Sequence, residues 1–165
     1  MNLSSINPYI RLAMESRIPA GHNIARRVIY DYELIYVEQG RFCFHYAGVG
    51  YACSQGQFLL IRPNVPHSFH IDSGEVSQPH IHFDIQYDNL SEIVPICFKE
   101  LAELSEKERH LVREDVFSRF PAKPQITIAN KSEFLQLFYT IVDGFKEKPG
   151  ALSLKTAMIQ LLERI

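Results

Sequence analysis

Tryptophan is missing from this 165-residue chain, which removes the favoured platform for stacking a sugar ring. Cysteine is scarce: Cys43, Cys53 and Cys97 are odd in number and show no CxxC spacing. That argues against a disulfide framework and points to reduced, buried thiols in a cytoplasmic protein. No apolar run approaches the roughly 18 residues of a membrane helix, so no membrane partner is expected. The opening stretch Met1 to Asn7 has neither a basic flank nor an apolar centre, and no secretion signal is read there. Cations are not in surplus either. Seventeen Lys and Arg stand against nineteen Asp and Glu, for a net charge of −2, and Arg26-Arg27 is too short for a basic stripe. These residues alone are not expected to neutralise a phosphate backbone, so any contact with DNA falls to another segment. GxSxG, P-loop, HExxH and EF-hand motifs are absent, and no spacing pairs Cys53 with a histidine.

What is present reads as one folded unit with a helical appendage. Hydrophobic residues make up 46% of the chain, enough at this length for a core without staples. Residues 1–20 are broken by Pro8 and Pro19 and read as an arm or a single short strand. From Val28 the composition turns β-branched and aromatic. Tyr32 to Val37, Arg41 to Tyr46, Phe58 to Ile61, His67 to Ile71 and His80 to Tyr87 read as strands, separated by turns at Gly40, Ala47 to Gly50, Gly56 and Asp72 to Gly74. Short strands about ten residues apart predict a sandwich or barrel over residues 21–95. Tyr30, Tyr32, Tyr36, Tyr46 and Tyr51 read as packing within those strands.

Residues 96–165 are of a different kind. Phe98 to Arg113 has a loosely helical pattern of mixed charge, ended by Pro121 and Pro124. Asn130 and Glu133 form a capping pair ahead of the stripe Phe134, Leu137, Phe138, Ile141, Val142, Phe145. After Pro149-Gly150 a second stripe runs through Leu154, Ala157, Met158, Leu161, Leu162 and Ile165. The two predict an antiparallel helix pair. The second stripe reaches Ile165 without a stop signal, which reads as an element cut partway, with more protein beyond.

Two strings carry a family resemblance: Asp31-Tyr32-Glu33-Leu34-Ile35-Tyr36-Val37-Glu38-Gln39-Gly40, and Gly56-Gln57-Phe58-Leu59-Leu60-Ile61-Arg62-Pro63-Asn64-Val65-Pro66-His67. With a looser match over His80 to Asp84, the stretch from about 25 to 90 resembles the cupin barrel of AraC-type transcription regulators. The resemblance implies a mainly β fold, a cupin (jelly-roll) barrel followed by the helix pair. It implies a small-molecule effector in the barrel and a homodimer formed through the C-terminal helices, with Leu154, Met158, Leu161, Leu162 and Ile165 as the expected interface. It also implies a DNA-binding helix-turn-helix module lying outside this chain. No cofactor is implied.

The candidate ligand-binding residues are Glu33, His67, Phe69, Gln78, His80 and His82. Residues i and i+2 of a strand share a face, so Gln78, His80 and His82 point one way and Ile81, Phe83 and Ile85 the other. Either set can face the barrel. With the histidines inward, carboxylate and imidazoles suit the hydroxyls of a sugar or other polyol. The rival reading is a small metal-dependent cupin enzyme, an isomerase or dioxygenase. Enzymatic cupins hold metal through two His and a Glu in a first motif and a His in a second. Glu33 and His67 match the last two, but the paired histidines would fall near Arg27 and Ile29, which offer no ligand atom. Glu33, His67, His80 and His82 are then the fallback ligand set, which requires the last two to point inward. A plain carbohydrate-binding module is the third reading.

Overall fold

The computed structural model describes residues 6–165; residues 1–5 of the expected arm, and most of the stretch read for a secretion signal, lie outside it. In chain order the strands are β1 (Tyr9–Met14), β2 (Arg17–Ile18), β3 (Asn23–Arg27), β4 (Tyr32–Tyr36), β5 (Arg41–Tyr46) and β6 (Val49–Ser54). They continue with β7 (Phe58–Ile61), β8 (His67–His70), β9 (Val76–Ser77), β10 (His80–Asp84) and β11 (Gln125–Ile126). Helices are α1 (Glu106–Arg109), α2 (Lys131–Glu147) and α3 (Leu152–Leu162). One sheet runs β1-β10-β4-β7-β11, a second β3-β8-β5-β6, and β2 pairs with β9. This is the cupin barrel expected, with the helix pair on its outside. Strands from the expected arm and from the expected helical region both join the first sheet, since β1 pairs with β10 and β11 with β7.

The strand alternation explains both cores. On β4 and β7, Tyr32, Leu34, Phe58 and Leu60 point outward, where they pack with Phe134, Phe138, Ile141, Val142, Met158 and Leu161 of the helices. Ile35, Leu59 and Ile61 point inward, against Phe42, Phe44, Tyr46 and Phe69 of the second sheet. A strand covered on both faces needs apolar residues at every position, which is why Phe58 to Ile61 lacks alternation. The hairpin β5–β6 turns on Ala47 and Gly48, both at positive φ (51° and 83°), as a two-residue loop of the primed type demands.

Asn130 caps α2 as expected, its side chain accepting from the Glu133 backbone N–H at 3.3 Å. Gly144, late in α2, meets Leu154 at the start of α3, and Arg164 reaches back to Glu133 at 2.6 Å. The helices are therefore antiparallel. Two expectations need correction. The helix read over Phe98 to Arg113 is a 3-10 turn (Leu101–Glu103) and the single-turn α1, with Ser105 capping α1 partway along the stretch. The expected interface residues Leu154, Met158, Leu161 and Leu162 are buried in this chain's own core, at 0–5% exposure, and Ile165 is half-buried against it. Helix α2 and the outer face of the first sheet take up most of the stripe.

Candidate functional site

The barrel is not hollow throughout. Between the sheets it is filled by rings: Phe44 stacks on Phe69 with centroids 4.6 Å apart, and Phe42 lies 5.3 Å from Phe69. At the end closed by β1, β2, β3 and β10 lies a cavity of about 410 Å³. Glu33, Gln78, His80 and His82 line it, with Arg27, Arg17 and His22. Apolar side chains complete its wall, among them Leu12, Met14, Ile24, Ile96 and Phe98.

β10 faces the histidines inward: Ile81, Phe83 and Ile85 pack with the helices, while His82 stands opposite Glu33 in the antiparallel register with β4. The sequence left this register open, and the helix pair settles it. His67 sits beside the cavity but does not line it. Its Nε2 accepts a hydrogen bond from Arg27 Nε at 3.4 Å, and its Nδ1 lies 2.9 Å from the Val65 carbonyl. A carbonyl only accepts, so Nδ1 carries the proton and the ring is neutral. Phe69 is not brought to the cavity; it belongs to the aromatic core.

Electrostatics at the floor centre on Glu33. Burial alone would raise its carboxyl, but the electrostatic pull of the basic groups around it, His82, His80, Arg27 and His67, outweighs burial and brings it below the usual carboxylate range. Burial would likewise lower His82, yet the charge of Glu33 and the hydrogen bond to Asp31 raise it. His82 Nδ1 is 3.2 Å from Asp31 Oδ1, and its Nε2 is 3.6 Å from Glu33 Oε1. Burial lowers His80, and pushes His67 down to about 4. Two acceptor atoms in this cavity are buried without a hydrogen-bond partner, Glu33 Oε2 and Gln78 Oε1. Unmatched acceptors cost free energy, and a solute donating to them recovers it.

Sequence reasoning missed what holds this floor in place. Arg11 Nε donates to Asp84 Oδ1 at 3.0 Å and lies 3.7 Å from Asp31 Oδ2, while Arg113 grips Asp84 from the other side at 3.0 and 3.1 Å. Only the tertiary fold joins these groups; no local spacing announces them. From sequence Arg27 is only half of a short basic pair and unfit for a metal, but it contacts His67, lies 4.0 Å from Glu33 Oε2 and covers the Phe98 ring at 5.0 Å. The positions where the enzymatic pattern requires paired histidines hold this guanidinium and a fully buried Ile29. That ligand set does not fit here.

A family model described as the AraC-like ligand binding domain matches residues 11–93. No curated protein matches the chain. Solved structures with a similar fold include a predicted oxalate decarboxylase from Thermotoga maritima, 17% identical over 44% of this chain and 65% of that one, with a TM-score of 0.42. A protein of unknown function from Streptococcus pyogenes is 12% identical over 45% of this chain and 62% of its own, at TM-score 0.40. The salicylate 1,2-dioxygenase of Pseudaminobacter salicylatoxidans is 18% identical over 41% of this chain and 19% of its own, at TM-score 0.39. Likeness at this level transfers no activity. Among the described residues, no helix is long and apolar enough to cross a membrane.

Proposed function

Since the chain belongs to the AraC-like ligand-binding domain family, we propose that it is the non-catalytic effector sensor of an AraC-type transcription regulator. The effector is a small polyhydroxylated solute, a sugar or a close relative, held in the cavity at the barrel's end. One observation carries this reading. Buried acceptors without partners, Glu33 Oε2 and Gln78 Oε1, face the same space as His80 and His82, below an apolar wall. Hydroxyl groups supply the missing donors, and the C–H faces of a sugar suit Met14, Ile24 and Phe98. DNA binding belongs to a helix-turn-helix module outside these residues, in keeping with the net charge of −2. The regulator works in the cytoplasm as a homodimer. Because the inner stripe of α3 is spent, the partner contacts its outer side, where Leu152 is exposed and Ile159 half-buried.

Thermal unfolding in the presence of monosaccharides, sugar acids and polyols tests the reading. A solute at a hundred times its Kd stabilises by about 2.7 kcal/mol, a rise of roughly 5–10 °C for a chain of this size. The rise is expected to vanish in Gln78→Met and Glu33→Gln. If no solute in the panel shifts the wild type, or the shift survives both substitutions, the cavity is not the sensor.

A further inference from the structure

Two acceptors on the cavity floor, Glu33 Oε2 and Gln78 Oε1, lack a hydrogen-bond partner, and the arrangement of Glu33 with His80 and His82 is specific. β10 sets His80 and His82 two residues apart on one face, and the register with β4 puts Glu33 directly opposite His82. One ligand atom from each of the three lies within 4.8 Å of the other two. Both rings are oriented from behind. His82 Nδ1 faces Asp31 Oδ1 at 3.2 Å, and His80 Nδ1 faces the Gln78 carbonyl at 3.3 Å. Carboxylate and carbonyl only accept, so in each neutral ring the proton sits on Nδ1 and the Nε2 lone pair is free.

We propose that Glu33, His80 and His82 form a binding site for one first-row transition-metal dication, such as Zn²⁺, Co²⁺ or Fe²⁺. Bonds of about 2.1 Å in tetrahedral array hold neighbouring ligand atoms about 3.4 Å apart, close to the 3.6 Å found between His82 Nε2 and Glu33 Oε1. Two imidazoles and a carboxylate select such ions over Mg²⁺ and Ca²⁺, which prefer all-oxygen shells. Asp31 behind His82 is the carboxylate–histidine pairing that fixes the ring of a metal ligand. Arg27, the nearest fixed cation, approaches the other carboxylate oxygen, Oε2, and leaves Oε1 to the metal. The set differs from that of enzymatic cupins: it omits His67, whose Nε2 is taken by Arg27. Three protein ligands leave a position open toward the cavity, so an effector hydroxyl or carboxylate completes the shell. In that last respect the inference rests on the effector-site reading; the ion itself does not.

The test uses the tag-free full chain, stripped with EDTA, desalted, and titrated with Co²⁺ alone while the visible d–d bands are followed. One Co²⁺ per chain is expected, displaced by Zn²⁺, with His80→Gln and Glu33→Gln abolishing the bands. Asp31→Asn should weaken binding roughly 10- to 100-fold, and His67→Gln should retain it. Paramagnetic shifts on the ring protons of His80 and His82 in the wild type provide a readout that needs no variant to fold. Absence of saturable binding, binding that survives both ligand substitutions, or loss in a folded His67→Gln protein overturns the site. A polyol that still raises the melting temperature of EDTA-treated protein keeps the sensor reading even if Co²⁺ fails to bind.

Discussion

Lowering the pH should destabilise this protein through His67 in particular, by an amount the structure sets. Burial moves that ring from its ordinary 6.5 to about 4 in the folded chain. The unfolded chain therefore takes up the proton first. Stability is whole above about pH 6.5, declines as the pH falls, and levels off below about 4. The full loss is about 3 kcal/mol, of which about 2 kcal/mol has gone by pH 5. Neighbours act differently in this window. Glu33, whose carboxyl is lowered, forfeits its share only when the pH falls through the carboxylate range; His82, which is raised, gains stability as it protonates. His80 is lowered and adds to the decline. Wild type alone thus reports a mixture, and the comparison with His67→Gln isolates the ring. Urea unfolding near pH 7.5 and pH 5, extrapolated linearly, measures both. Between those conditions the wild type should lose about 2 kcal/mol more than the variant, equivalent to roughly 4–8 °C in melting temperature. Equal losses would mean that His67 takes up its proton in the folded chain as readily as in the unfolded one, and that its tautomer is not held between Arg27 and Val65.

Two further outcomes follow from packing. Leu161→Ala should lower unfolding free energy by about 2–5 kcal/mol with an unchanged urea m-value, and Leu161→Asp should prevent folding, because the side chain is fully buried against the sheet; a folded, monomeric Leu161→Asp protein in analytical ultracentrifugation would show that α3 does not pack as described. Gly40→Ala should cost more than about 2 kcal/mol in the same assay, since Gly40 has φ +89° and an added Cβ would stand 2.6 Å from the Glu75 carbonyl oxygen.

Much of the fold was readable because its signals are local. The alternation of Arg41 to Tyr46, the positive-φ turn at Ala47-Gly48 and the stripes of α2 and α3 each specify an element within a short window. β10 was harder for a physical reason. Both of its faces are covered, one by helices and one by the barrel, so His80 and His82 against Ile81 and Phe83 gave two consistent registers. The stripe of α3 misled in the opposite sense. It correctly announced a helix, yet a stripe does not say which surface covers it: Met158 and Leu161 join the core of their own chain, and Leu154 meets Gly144 of α2. The supports of the site were least accessible. Arg11 finds Asp84 73 positions away, and Arg113 finds it across 29, so only the closed barrel brings the three together.

β10 is a partition one strand thick. Its two rows of side chains hang from a single backbone, imidazoles toward the cavity and Ile81 and Phe83 toward α2 and α3. Such a wall has no interior in which a displacement can be absorbed, and close-packed neighbours shift with it rather than compress. Whatever settles in the compartment and nudges that backbone is therefore felt by the outer helices in the same motion, without any relay between them.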